Sequence, residues 1–325
     1  MKQVFIGIDV SATTLDICIK VNDSLSCVVI KNQVKEIKKF LQMYQGEQVR
    51  IAMENTGRYN WAFYEALAGF EFTTFVISPL HLKKSMGLVR GKNDKIDAER
   101  IVHFLIKNYS ELRPWICPDA SIQKLKVWIT ERNHRIKSKK QLSVMSKDYS
   151  KMKSLDMDKA LIRMNKKLIA ELDAQIVAIE KEIELLLKAD TKLQEQVKLI
   201  RSVPGVGKVL SWEMIAKTNG FTSINTAREM ACYSGVAPFE FQSGTSIYRR
   251  PKVSHLADKT LKSLLHLGAM SAIRLNNDLG EYYRRKVAEG KNKMCVINAV
   301  RNKIIHRVYA VIKNQNMYQN NLVLS

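Results

Sequence analysis

Four acidic residues, Asp9, Glu54, Asp94 and Asp97, stand where the chain could do chemistry. Asp94 and Asp97 lie in Lys92-Asn93-Asp94-Lys95-Ile96-Asp97-Ala98, just where helical apolar spacing begins with Ile96, Ile101, Phe104 and Leu105. Residues three apart at a helix start project from one side of it. Two carboxylates placed that way repel unless a cation or a basic group lies between them. Read alone, the pair is an N-cap followed by a first-turn acid, which suits the helix dipole. Asp9 and Glu54 close two apolar runs, at the edge where an open α/β sheet forms its sites. Singly, Asp9 reads as a turn cap and Glu54 as a solvated strand end. Together, the four acids offer hard oxygen ligands for one or two Mg²⁺ ions, and metal pairs about 3.5–4 Å apart activate phosphodiesters.

The elements that must position these acids are legible as short runs. Val4–Val10 reads as a buried strand, Leu15–Val21 as an alternating second strand and Ser26–Ile30 as a third. Val34–Tyr44 has helical spacing, Val49–Glu54 is a strand ended by Asn55-Thr56-Gly57, and Tyr59–Leu67 is an aromatic-rich helix. Phe72–Ile77 is a further strand, stopped by Ser78-Pro79. Hairpin strands followed by alternating strands and helices predict a mixed α/β sheet.

Three motifs carry a resemblance. Gly7-Ile8-Asp9-Val10-Ser11, Met53-Glu54-Asn55-Thr56-Gly57 and Asn93-Asp94-Lys95-Ile96-Asp97-Ala98 resemble, in order and separation, the acidic motifs of the one-ten family of insertion-sequence transposases. The resemblance implies a RuvC-like (RNase H-like) domain whose D-E-D-D metal tetrad falls on Asp9, Glu54, Asp94 and Asp97. A phosphate-binding hairpin of the actin and sugar-kinase type competes for Gly7-Ile8-Asp9. That motif needs glycine soon after the aspartate, and here Val10, Ser11 and Ala12 follow.

Bulk composition agrees with a nucleic-acid partner. The 325 residues carry 53 Lys and Arg against 31 Asp and Glu, a net charge of +22. Such an excess points to a polyanion before anything else. No apolar run approaches spanning length, and Met1-Lys2-Gln3 leads straight into a strand pattern, so neither a membrane anchor nor a signal peptide is expected. Five scattered cysteines without a CxxC predict no zinc site and no disulfide framework, but reduced, mostly buried thiols in a cytoplasmic protein.

Pro114 and Pro118 flank Trp115 and mark a boundary, giving a first domain over 1–118. No glycine occurs from Pro118 to Val203, so a long helical segment is expected over 119–200. Its first part is basic, with Arg132, Arg135, Lys137, Lys139 and Lys140. Ile169, Leu172, Ile176, Ile179, Ile183 and Leu186, then Leu193, Val197 and Ile200, recur in steps of three and four, broken where Asp190 takes a core position. That is a coiled-coil seam, with a hairpin packed on its own domain as the alternative. The family resemblance likewise implies a helical coiled-coil linker and a homo-oligomer, dimer or tetramer.

The last segment, 201–325, is predicted to be mostly helical. Arg201-Ser202-Val203-Pro204-Gly205-Val206-Gly207-Lys208 resembles a helix-hairpin-helix, in which Gly205 and Gly207 allow a sharp turn and backbone N–H groups near Lys208 face a phosphate. A plain Pro-Gly turn is the simpler reading. Phe221–Tyr233 reads as a helix, and Ser234–Ser246 as an exposed loop in which a serine is ordinarily a turn former. The resemblance adds to this. Gly235-Val236-Ala237-Pro238 with Gln242-Ser243-Gly244-Thr245-Ser246 looks like the family's loop carrying a nucleophilic serine, which falls on Ser243, with Ser246 the nearest competitor.

Arg249, Arg250 and Lys252 follow as candidate phosphate partners, and 249–313 holds 15 Lys and Arg against 4 Asp and Glu. Leu261, Leu264 and Leu265 show that this basic stretch is folded. Tyr282, Tyr283, Arg284 and Arg285 offer stacking and phosphate contacts or plain packing; His255, His266 and His306 share no metal spacing and read as structural; residues from Gln315 read as frayed. The resemblance implies a prokaryotic, nucleoid-associated recombinase that cuts and rejoins donor and target DNA through a phosphoserine. It further implies a composite site of tetrad and serine, and guidance by a structured non-coding bridge RNA, which nothing in composition or spacing indicates.

Overall fold

The side chains of β1 (Gln3–Val10) alternate between two environments, and that alternation organises the first half of the molecule. The computed structural model describes residues 2–85, 94–153, 158–243 and 247–320, without the side chains of Asp94 and residues 241–250. The chain divides into two compact units, Met1–Cys117 and Pro118–Ser325.

In the first unit β1 is followed by β2 (Thr14–Val21), β3 (Ser24–Lys31), α1 (Val34–Gln42), β4 (Gln48–Glu54), a 3-10 turn (Gly57–Asn60), α2 (Trp61–Leu67), β5 (Thr73–Ile77), α3 (Pro79–Ser85) and α4 (Asp94–Asn108). The sheet order is β3-β2-β1-β4-β5; the first three strands are antiparallel, and β1, β4 and β5 are parallel. The mixed sheet expected from the sequence is therefore present. Proline at the first position of a helix forfeits an N–H that would be unbonded anyway. Ser78-Pro79 accordingly ends β5 and also starts α3, a helix the sequence reading missed.

Ile6, Ile8, Leu15, Ile17, Ile51 and Met53 form one face of the sheet and bury against Ile37, Phe40 and Leu41 of α1 and Phe63 of α2. Each such side chain contributes about 1.5–3 kcal/mol of burial, so the central strands are held chiefly from this side. On the other face lies α4. Its Ala98 and Val102 cluster with Cys18, and its Ile101, Phe104 and Leu105 with Ala52, Phe75 and Ile77. A Cβ on Gly7 would sit 2.4 Å from the Val102 nitrogen and 2.5 Å from the Ala98 oxygen, so only glycine lets α4 cross β1 at this depth.

One expectation is overturned here. Cys18 and Cys27 are register partners on β2 and β3, with Cα atoms 4.2 Å apart, and they form a disulfide. A cross-strand pair becomes visible only once the hairpin register is known, because it needs no short-range motif. Nor are the remaining thiols mostly buried: Cys117 and Cys295 are exposed, and Cys232 is half-buried.

The second unit contains α5 (Ala120–Tyr149), α6 (Asp158–Ala189), α7 (Thr191–Arg201), α8 (Lys208–Thr218), α9 (Ala227–Tyr233), β6 (Pro238–Ser243), β7 (Ile247–Val253), α10 (Lys259–Ala272), α11 (Asp278–Ala288) and α12 (Lys293–Asn314). The seam read on α6 is met inside the chain, by α5. Arg132 pairs with Glu180, Arg135 with Gln175 and Lys139 with Asp173, a ladder that fixes α5 and α6 as antiparallel neighbours. Ile179, Ile183 and Leu187 share one core with Ile122, Leu125 and Ile129, and that core continues through Leu199, Ile215, Leu265 and Val300. Segments 119–200 and 201–325 thus have a common interior. Asp190 occupies no core position. It ends α6 and caps α7, accepting from the Leu193 N–H at 3.1 Å.

The C-terminal stretch is anchored, not frayed, as far as Asn320. The Tyr318 N–H donates to Ser202 Oγ, its hydroxyl donates to Asp278 Oδ1, and the Arg307 guanidinium lies over its ring. Among the described residues no helix is long and apolar enough to cross a membrane.

Candidate functional site

Strand register brings carboxylates together at the carboxyl edge of the first unit's sheet. Ile8 of β1 pairs in parallel with Met53 of β4, so the next residues, Asp9 and Glu54, are neighbours. Asp9 is also the antiparallel partner of Asp16 on β2. Directly paired residues point to the same face of a sheet. Phe5, Gly7 and Asp9 therefore share the α4 face, and Asp16, Asp9 and Glu54 form a row across three adjacent strands. Asp16 was missed in the sequence because it sits mid-strand, where an acid reads as the polar half of an alternation.

Helix α4 brings its acids to the same edge. The Tyr109 ring, just past its end, lies 5.6 Å from that of Phe5, while Ala98 and Val102 cover Gly7. Helix α4 therefore runs against β1, with its first turn over the end where Asp9 lies. Asp97, on that turn, accepts from Arg100 at 2.8 Å and is about one-quarter exposed. Asp94 is the first residue of α4; its side chain lies outside the described residues.

The stretch read as an exposed loop is a two-stranded antiparallel ribbon. Pro238 pairs with Val253, Gln242 with Tyr248 and Ser243 with Ile247. Ser243 is the last residue of β6, and Arg249, Arg250 and Lys252 lie on β7. The register shifts between Phe239 and Phe241, opposite Arg250-Pro251. Proline cannot donate to a ladder, and a bulge accommodates it. Ser246 and the side chains of Ser243, Arg249 and Arg250 lie outside the described residues. Lys252 is exposed.

A clasp closes the root of this ribbon. The chain enters after Tyr233 and leaves before Asp258, whose N–H donates to the Tyr233 carbonyl at 2.9 Å. The Asp258 carboxylate caps α10 through the Leu261 N–H at 2.8 Å and accepts from Lys217 Nζ at 2.9 Å and from the Tyr233 hydroxyl at 3.4 Å. Burial alone would raise the Asp258 pKa, but these donors outweigh it and hold the carboxyl below its ordinary value. Burial likewise works against the Lys217 ammonium, yet its partners raise its pKa above the usual lysine value.

At the turn between α7 and α8 the two glycines meet different surroundings. Gly205 has φ +86°, and a Cβ there would lie 2.2 Å from the Gly268 oxygen of α10. Its bareness serves helix packing. Gly207 caps α8 with nothing near its missing side chain. The Lys208 ammonium pairs with Glu184 of α6 and is not poised alone over the turn. Tyr282, considered above for stacking, carries Lys303 over its ring at 4.5 Å.

Comparison with known proteins bears on both units. A family model described as "Transposase IS116/IS110/IS902 family" matches residues 197–284, and a DEDD model of IS110 type, described as "Transposase", matches 6–147; together they take in more than two thirds of the chain. The chain belongs to the IS116/IS110/IS902 transposase family. The pilin gene-inverting protein of Moraxella bovis is 26% identical over 96% of this chain and 97% of its own. The transposase for insertion sequence element IS1111A of Coxiella burnetii is 22% identical over 98% of this chain and 92% of its own. A 42 kDa protein of insertion element IS900 from Mycobacterium paratuberculosis is 26% identical over 46% of this chain and 38% of its own.

The transposase is thus a DNA-recombining enzyme, and its DEDD unit implies dependence on a divalent metal. The chemistry of the donor set fits such an ion, since carboxylate oxygens are the ligands hard cations select. Among the described residues no three His, Cys, Asp or Glu side chains are grouped to hold a metal, and Asp97 is engaged by Arg100.

Proposed function

We propose that this transposase cuts and rejoins DNA through a phosphoserine on Ser243, with Asp9, Glu54, Asp94 and Asp97 holding Mg²⁺. The Ser243 hydroxyl attacks a backbone phosphorus, forming one P–O bond as the bond to a deoxyribose oxygen breaks. That oxygen leaves with the proton as a hydroxyl. In religation a deoxyribose hydroxyl attacks the phosphoserine and returns the proton to Ser243, so bond energy is conserved. A bound divalent cation supplies electrostatic stabilisation of the charge developing on phosphate. Asp97 takes up that duty by exchanging Arg100 for the ion, and Arg249, Arg250 and Lys252 neutralise the strand beside the serine. Gly205, Gly207 and Lys208 contribute backbone and ammonium contacts to phosphate once Lys208 exchanges Glu184 for nucleic acid.

The reading is carried by one observation: Ser243 ends β6 on a ribbon whose partner strand bears Arg249, Arg250 and Lys252. A structured non-coding RNA that pairs with donor and target DNA selects the sites, leaving shape and charge to the protein. The protein works as a dimer or tetramer in a prokaryotic cytoplasm, at the nucleoid. The net charge of +22 supports a partner of that size and sign. Ser243→Ala is expected to abolish covalent protein–DNA adducts on denaturing gels while nucleic-acid binding persists. Adducts at full yield would sink the serine mechanism, and cleavage without adducts in both proteins would favour a RuvC-like nuclease.

A further inference from the structure

A second basic cluster sits at the ribbon root, apart from the residues discussed so far. Arg301 of α12 is only 8% exposed. One of its terminal nitrogens lies 2.5 Å from His266 Nδ1 of α10, the other donates to Asn298 Oδ1 at 3.4 Å, and its Nε has no partner. Among the described residues it meets no carboxylate. A buried guanidinium held only by neutral acceptors keeps an uncompensated charge, which is costly unless an anion arrives. Burial accordingly lowers the Arg301 pKa.

The neighbours say where that anion would come from. Guanidinium nitrogens only donate, so His266 accepts at Nδ1 and is a neutral ring carrying its proton on Nε2, a second donor. Lys262 lies one turn before His266 on α10, on the same side of the helix. Its ammonium is 3.6 Å from where a Cβ on Gly235 would be. Asn298 ties the group to the ribbon by donating to the Val236 carbonyl at 2.9 Å. The nearby Asp258 carboxylate is already engaged by Lys217, Tyr233 and the Leu261 N–H.

We infer that Arg301, His266 and Lys262 form a binding site for a nucleic-acid phosphodiester at the base of the serine ribbon. Lys262 and the His266 Nε2–H supply the contacts; Arg301 supplies the field and fixes the tautomer. The inference rests on the nucleic-acid reading above and adds to it the part of the protein that grips the strand.

The test is binding of the full chain to a duplex DNA and to a hairpin RNA by fluorescence anisotropy across a salt series. Arg301→Gln is expected to weaken binding several-fold and, by removing the cation behind the Lys262 and His266 contacts, to make the slope of log affinity against log salt shallower; Lys262→Gln is expected to make it shallower by about 0.9, the signature of one lost phosphate contact. A change seen with the duplex alone assigns the phosphate to DNA, and with the hairpin alone to RNA. An unchanged slope with both probes, even at lower affinity, marks a merely structural arginine and overturns the inference. Should Arg301→Gln fail to fold by circular dichroism, Lys262→Gln decides on the same slope criterion. Wild-type protein that binds neither probe would overturn the nucleic-acid reading itself, an outcome distinct from a wild type that binds and a variant that matches it.

Discussion

The carboxylate edge and the serine ribbon are built in opposite ways. Asp9 and Glu54 end two parallel neighbours in the interior of a five-stranded sheet, with an apolar layer on one face and α4 on the other. Ser243 lies on an isolated two-stranded ribbon held at its root by Asp258, Lys217 and Tyr233. A two-strand ribbon has marginal stability of its own. Rigidity therefore comes from the core for the acids and from a few polar contacts for the serine.

The contrast is sharpest under direct mutation. Asp9→Asn and Ser243→Ala are each expected to reduce strand transfer by about 10³-fold or more, measured on a supercoiled donor. Adduct formation surviving in Asp9→Asn at wild-type rate would break the shared role of the two regions.

Packing gives the next effect. Gly205→Ala should destabilise the second unit by about 2–4 kcal/mol, from a clash with α10 and the left-handed backbone. Gly207→Ala should cost no more than about 1 kcal/mol, a cap preference alone, since nothing surrounds that position. Denaturant unfolding of both variants checks the pair; equal losses would undo the packing assignment.

Reduction of Cys18–Cys27 is expected to cost the first unit about 2–3 kcal/mol through the short loop it closes, while the second unit's melting stays in place. A thermal melt with and without dithiothreitol reads this. The smallest effect concerns the clasp. Asp258 titrates lower when folded, so its stabilisation is present above the ordinary carboxylate pKa and fades as pH falls through the folded value, below about pH 4. Asp258→Asn should cost about 1 kcal/mol near neutrality and flatten that acid limb in melts between pH 3 and 6.

The two regions also differed in legibility. β1 and β4 could be read because apolar runs end in acids, and a strand's pattern is local. Asp16 escaped notice because its significance depends on facing Asp9 across a hairpin, and Cys18–Cys27 for the same reason. The ribbon read as a loop because glycine, serine and proline dominate it and its pairing is interrupted by the bulge at Arg250-Pro251. Lys208 looked available for phosphate because Glu184 is a helix away in sequence. The α6 seam was recognised, but periodicity cannot tell a partner helix in another molecule from α5 in the same one.

Gly7 gives the acid edge a vulnerability that no carboxylate reveals. A single methyl group there would lever α4 off the sheet and carry Asp97 with it. A genetic screen for inactive proteins should therefore recover changes at residue 7 with every acidic side chain intact, ranking this bare position among the chain's least tolerant.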